Sequence, residues 1–274
     1  MLDIPKSKIE KSFADGKILQ SVEGGIGVVT FNNPDKRNAM SLDMWEGLGG
    51  ALIELRDDAE VRVVILTGAG DKAFVSGADI SQFEKTRHNA EASEEYSRRS
   101  AAQRALLADY PKPTIACIRG FCLGGGMQVA MLADIRFASE NSQFGIPAAK
   151  LGIAYGYDGL RNLVSLVGPS WARLIMYTGM RIDSAEALRI GLVDRVLPDA
   201  GLWEATMEIA RSIAGNAPLA IKAAKITIAE VLKDPAARDF DAIKEIGTAC
   251  MDSQDFREGR RAFMEKRKPV FRGK

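Results

Sequence analysis

Histidine occurs once in these 274 residues, at His88, and cysteine three times, at Cys117, Cys122 and Cys250. One imidazole leaves a His-based metal site or a Ser-His-Asp triad with a single candidate. Three cysteines are too few for a disulfide framework, and Cys117 and Cys122 lack zinc-ligand spacing, so a reducing compartment is expected. An excess of one charge is also missing. Thirty-seven Lys and Arg face 36 Asp and Glu, a formal net charge of +1. No global field draws the chain to nucleic acid or to a membrane surface. No window approaches the roughly 18 apolar residues of a membrane span. The N-terminal MLDIPKSKIEKSF lacks the apolar run of a secretory signal. A soluble cytoplasmic protein is the expectation. The composition itself, 46% hydrophobic and 27% charged, suits one large domain or a domain with a small appendage.

Along the chain, residues 18–31 read as a hairpin, with Glu23-Gly24-Gly25 as its turn. Ser41 and Asp43 open a helix carrying Leu42, Trp45, Leu48, Leu52 and Leu55 at helical spacing. The apolar runs 61–68, 114–120 and 134–139 read as buried strands. Strands alternating with helices imply an α/β chain in which strand-strand-helix units recur loosely. The polar stretch 84–104 reads as a loop followed by an exposed helix. From about residue 200 the pattern is helical: 200–214, 217–233, 237–249 and 252–266. The expected division is a core over 1–198 and a helical C-terminal region over 199–274.

Two glycine-rich segments carry the chemistry. KAFVSGADI (72–80) follows the strand 61–68, and GFCLGGGMQ (120–128) follows the strand 114–118. Each reads as a turn whose small residues let a ligand approach the backbone. The second also opens a helix, whose first N–H groups lack internal partners. Two such turns, converging, present two backbone donors to one oxygen. That is an oxyanion hole, suited to a thioester carbonyl gaining negative charge. Neither segment has Walker spacing or the dinucleotide-binding glycine spacing.

In order along the chain, NNPDKRNAMS (32–41), AFVSGADI, GFCLGGGMQVAMLADIRFAS, SQFGIPAAKLGI (142–153), ALRIGLVDRVLP (187–198) and EGRRAFMEKRKPVF (258–271) resemble the signature blocks of the crotonase (enoyl-CoA hydratase/isomerase) family. The resemblance implies a superhelix of ββα units with a helical C-terminal trimerisation region, assembled as a trimer or a dimer of trimers. It implies an acyl-CoA substrate, with coenzyme A belonging to the substrate and no separate cofactor or metal. By motif position, Ala78 and Gly125 supply the oxyanion-hole N–H groups. Lys36, Arg37 and Ala39 lie along the pantetheine and phosphates. Ala78, Asp79 and Ile80 approach the adenine end. Phe263 and Lys266 match positions that reach CoA on a neighbouring subunit; helix packing is the alternative for Phe263, a solvated basic surface for Lys36, Arg37 and Lys266.

The chain departs from the family's hydratases at both catalytic glutamates, replaced by Gln128 and Ala148. Gln128 hydrogen-bonds but exchanges no proton near neutral pH, and Ala148 does neither. Losing one general acid or base costs about 100- to 10,000-fold. Ordinary hydration is therefore not expected. The turn Gly152–Gly159 holds Tyr155, Tyr157 and Asp158, where relatives with other reactions place a functional Tyr or Asp. Tyr155 and Asp158 are candidates for proton handling or substrate anchoring. The plainer roles are a pocket wall for Tyr155, core or interface for Tyr157, and for Asp158 an N-cap on a helix over Gly159–Val167. Glu84 and His88 are weaker candidates beside the acyl pocket, Cys122 reads as an inert buried thiol, and Met127 as core. Isomerisation, decarboxylation, hydrolysis and C–C cleavage all use such a hole. A CoA-thioester-binding protein with little catalysis is the second class. RNA binding is the third, and the lysine-free helix SLDMWEGLGGALIELR gives it no support.

Overall fold

The computed structural model describes residues 11–82 and 89–274; Glu84 and His88 lie outside them. Eleven strands form two sheets among the described residues. The larger contains β1 (Lys11–Phe13), β2 (Ile18–Glu23), β3 (Ile26–Phe31), β4 (Val63–Gly68), β6 (Thr114–Ile118), β8 (Ile135–Ser139) and β11 (Arg195–Leu197), in the order β1-β2-β3-β4-β6-β8-β11. From β3 onward every pair is parallel. The expected hairpin is β2–β3, in antiparallel register from Ile18↔Phe31 to Glu23↔Ile26.

β3, β4 and β6 are buried at every position, as a sheet covered on both faces requires. Alternation sorts their side chains. Val64, Leu66, Ala116 and Ile118 face one core, with Trp45, Leu48 and Leu52 of helix α1 (Leu42–Asp57). Val63, Ile65, Ile115 and Cys117 face the other, closed by Leu202, Trp203 and Met207 of helix α6 (Leu202–Ala214). Each such fully buried aliphatic side chain stabilises the fold by about 1.5–3 kcal/mol.

The smaller sheet, β10-β9-β7-β5, is built from β5 (Ala73–Val75), β7 (Phe121–Leu123), β9 (Gln143–Gly145) and β10 (Arg181–Asp183). Three-residue strands are too short for a periodicity to register, so the two glycine segments read as turns directly after the long strands. Instead each long strand hands the chain to a short one before its helix: β4–β5–α2 (Ala90–Ala108), β6–β7–α3 (Gly125–Leu132) and β8–β9–α4 (Tyr157–Thr178). These are the strand-strand-helix units. The short strands stack in parallel, so the turns after them share one end of the small sheet.

The turn 152–159 differs from its sequence expectation. Helix α4 starts at Tyr157 with Gly156 as N-cap, so Asp158 lies in its first turn and does not cap it. There its charge still complements the helix N-terminus. Tyr157 is exposed, and no core claims it. The helix breaks at Gly168-Pro169, where Gly168 adopts φ 73°. After α5 (Ser184–Arg189) and β11, the chain is helical: α6, α7 (Pro218–Val231), α8 (Phe240–Asp252) and α9 (Gln254–Met264). Exposed apolar side chains gather there, including Ile228, Val231, Leu232, Phe240, Met251 and Met264.

Candidate active site

The ends of β5 and β7 bring two backbone amides together. After β5, Met40 forms a bridge with Ala78: its N–H donates to the Gly77 carbonyl at 2.8 Å, and its carbonyl accepts from Asp79 N–H at 2.9 Å. Alternate backbone groups of an extended segment point to opposite sides, so the Ala78 N–H faces away from Met40. After β7, Gly124 adopts φ 48° and caps α3, its N–H donating to Gly145. Gly125 is the first helical residue, and its N–H has no place in the helix ladder. Neither amide donates to another group of the described residues.

The two turns touch. A Cβ on Gly125 would lie 3.6 Å from the Gly77 carbonyl carbon, and one on Gly124 would lie 3.7 Å from Gly77 Cα. Gly126 makes the approach possible, since a Cβ there would overlap the Val75 carbonyl. Both amides open onto a cavity of about 280 Å³, whose other walls include Trp45, Gln128, Ala148 and Tyr155. Two unpaired N–H groups at one cavity wall, one of them at a helix N-terminus, stabilise an oxygen that gains charge.

Gln128 stands one turn beyond Gly125 on α3, and Ala148 lies opposite on the segment after β9, 6% exposed. The Tyr155 ring packs over Gly159, where a Cβ would fall 2.5 Å from the ring. Its hydroxyl is buried beside the Gln128 amide, outside hydrogen-bond geometry with any described group. Burial pushes this phenol well above its ordinary range, against the opposing pull of the Gln128 amide and the Arg104 charge. It therefore stays protonated near neutral pH, a hydrogen-bond donor and at most a weak acid, with no phenolate to act as a base. No carboxylate lines the cavity among the described residues. Asp158 instead borders an adjoining chamber of about 260 Å³, separated from the first by Gln128 and Arg104, which face both.

The loop 32–41 docks against the same turns. Asn38, fully buried with φ 56°, donates to the Ala69 and Ala73 carbonyls and accepts from Asn33 N–H. Ser76 N–H donates to the Arg37 carbonyl. Ala39 is thereby buried, while Lys36 and Arg37 remain exposed beside the cavity mouth. The Lys36 ammonium bonds the Asp79 carboxylate and Ser81 Oγ, both at 2.9 Å. Burial opposes ionisation of Asp79, but hydrogen bonds from Ser81 and Lys36 outweigh it and hold its carboxyl below the usual range. The Arg37 guanidinium lies over the Phe121 ring at 5.5 Å.

The fold thus gathers Ala78, Gly125, Gln128, Tyr155 and Ile80 around one cavity, with Lys36, Arg37, Ala39 and Asp79 at its edge. Phe263 and Lys266 sit on and just beyond α9, away from this cavity within the single chain. Phe263 is 83% exposed, so packing within the chain does not explain it. Cys122 and Met127 are fully buried as expected, and burial raises the Cys122 thiol beyond reactive range. Three site residues escaped sequence reasoning. Asn38 anchors the loop. Trp45 reads only as a core position, yet its ring lines the cavity. Arg104 lies within a polar stretch, where the spacing of Ser97, Ser100 and Arg104 was the available signal for one helix face.

The family model described as enoyl-CoA hydratase/isomerase matches residues 21–274. A short-chain-enoyl-CoA hydratase of Clostridium acetobutylicum is 38% identical over 251 residues, covering 92% of this chain and 95% of the relative. A carnitinyl-CoA dehydratase of Salmonella typhi is 34% identical over 256 residues, covering 92% and 96%. Among solved structures, an enoyl-CoA hydratase/carnitine racemase from Magnetospirillum magneticum superposes with a TM-score of 0.90 at 38% identity, covering 94% of this chain and 96% of that one.

Proposed function

For a chain that belongs to the enoyl-CoA hydratase/isomerase family, we propose catalysis on an acyl-CoA thioester whose carbonyl oxygen sits between the Ala78 and Gly125 amides. The observation that carries this is the pair of unpaired N–H groups on one cavity wall. Their strength grows as the carbonyl becomes an enolate oxygen, so they serve the transition state more than the ground state. Lys36 and Arg37 at the cavity mouth suit the phosphates of CoA, once Lys36 exchanges Asp79 for a phosphate.

Hydration needs groups that activate a water and protonate the α-carbon. Gln128 and Ala148 offer neither, and Tyr155 offers only an acid. The chemistry best matched to such a cavity generates its enolate without a base. Loss of carbon dioxide from an α-carboxylated, malonyl-type thioester does so: the breaking Cα–C bond leaves its electron pair in the enolate, and a proton from Tyr155 or water completes the product. Isomerisation, hydrolysis and C–C cleavage remain alternatives that require a base from elsewhere. A second reading, thioester binding with little catalysis, is favoured by the position of Asp158 in the adjoining chamber.

The exposed apolar side chains of α7–α9 support a homo-oligomer, a trimer or a pair of trimers, in which Phe263 and Lys266 reach CoA on a neighbouring subunit. Three free thiols favour a reducing, cytoplasmic setting. Among the described residues no helix is long and apolar enough to cross a membrane.

A mass-spectrometric screen of the purified protein against enoyl-, malonyl-type and β-keto-CoA thioesters tests the proposal. The expected result is carbon dioxide loss from a malonyl-type thioester, with crotonyl-CoA hardly hydrated. Binding without turnover across the panel moves the conclusion to the second reading. Failure to bind any thioester more tightly than CoA itself overturns both.

A further inference from the structure

The cavity beside the oxyanion hole ends at a partition. Two side chains face both this cavity and the adjoining chamber: Gln128 of α3 and Arg104 of α2. Arg104 is anchored in place. Its guanidinium lies over the Trp45 ring at 5.5 Å and donates to Ser100 Oγ at 3.1 Å. Both anchors are themselves fixed, for Trp45 and Ser100 are each 2% exposed. Trp45 also borders the oxyanion hole, since a Cβ on Gly125 would lie 3.7 Å from its Cζ2. One indole therefore sets the distance from the thioester carbonyl to the partition.

The space behind the partition has room for an alkyl chain. Its volume, about 260 Å³, nearly equals the 280 Å³ of the first cavity. Ala101, Ala105 and Ala108 share one face of α2 and leave that space open, while Met131 and Leu132 of α3 add apolar wall. Asp109, Asp158 and Arg161 are among its other walls. Burying one further methylene is typically worth about fourfold in affinity, so a long acyl chain would gain by entering. The partition opposes this. To pass, the chain must push the guanidinium off its ring and hydroxyl, or lie against a charge whose hydration it removes. A hydrocarbon offers no hydrogen bond in exchange.

We infer that Arg104, held by Trp45 and Ser100, limits the length of the acyl group: the site takes a short chain that stops at the partition and refuses a longer one. This inference rests on the thioester proposal above and adds the size class of the acyl group and the residue that selects it. The limit is one of length, because the chamber beyond is closed off by side chains and not by backbone.

Titration calorimetry with CoA, butyryl-CoA and octanoyl-CoA separates the two claims. The expected result is that octanoyl-CoA binds no more tightly than butyryl-CoA, although it carries four more methylenes. In Arg104→Ala the two spaces join, and the affinity of octanoyl-CoA relative to butyryl-CoA rises at least about tenfold, as two or more further buried methylenes require. A thermal melt checks that each variant folds. Arg104→Met keeps a long stem but loses the charge and its anchors, so it shows a smaller rise in the same direction and tests the claim by itself. Tighter binding of octanoyl-CoA than of butyryl-CoA by the unaltered protein, or a ratio unchanged in the folded variants, would overturn the inference. If that happens while both thioesters outbind CoA, the thioester proposal stands alone. If neither outbinds CoA, both claims fall.

Discussion

Replacing Gly125 by proline is expected to lower kcat on the true substrate by about 100- to 1,000-fold while leaving KM within a few-fold. The substitution deletes one N–H donor. Losing one oxyanion-hole donor costs about 3–4 kcal/mol of transition-state stabilisation. Position 125 is the first residue of α3, the helical site where proline is best tolerated, because its missing N–H has no helical partner. The preceding Gly124 has no Cβ to meet the ring. A Cβ at 125 meets neighbours only at ordinary contact distance, 3.6–3.7 Å. A thermal melt near that of the parent shows that the loss is chemical. An interaction made chiefly in the transition state lowers kcat and kcat/KM together. A rise in KM at unchanged kcat would instead mean that the amide binds the ground and transition states equally.

Introducing glutamate at both departed positions, Gln128→Glu with Ala148→Glu, is expected to raise hydration of crotonyl-CoA by at least about 100-fold. One positioned acid/base group is typically worth about 100- to 10,000-fold. Gln128→Glu is nearly isosteric. At position 148 the added side chain has the cavity to extend into, since Ala148 lines it. The Arg104 charge beside Gln128 favours an ionised carboxylate there, so the pair is best able to act with the carboxyl introduced at position 148 as the proton donor. Either single variant should gain much less, because water activation and α-carbon protonation are separate tasks. Spectrophotometric loss of the conjugated thioester reads the rate directly. Hydration by the unaltered protein at the rate of the double variant would show that Gln128 and Ala148 are no obstacle.

Much of this was legible in the sequence, and the reasons differ by element. β4 and β6 could be read because a strand buried on both faces is a continuous apolar run. The four helices after β11 could be read from their spacing and the Pro and Gly breaks between them. The oxyanion hole was legible through glycine, where close backbone approach restricts residue choice. The small sheet was not, since strands such as Phe121–Leu123 are too short to show a period. Asp158 reads as a cap because Asp before an apolar run usually is one, but Gly156, two residues earlier, takes that place. Arg104 was invisible for a different reason. An arginine in a polar helix is ordinary until the fold sets that helix beside Trp45 and Gly125. Local pattern specifies elements, whereas a site wall depends on which elements the sheets bring together.

The central claim is that a thioester carbonyl accepts hydrogen bonds from Ala78 and Gly125. Isotope-edited infrared difference spectroscopy tests it without knowledge of the reaction. A saturated acyl-CoA labelled with 13C at the thioester carbonyl is bound to the protein, and its stretching band is compared with that in water. Two preorganised donors polarise the carbonyl more than water does, so the band is expected to move to lower frequency and to return towards its aqueous position in Gly125→Pro. A band at or above its aqueous frequency in the unaltered protein would contradict the oxyanion hole and the function built on it.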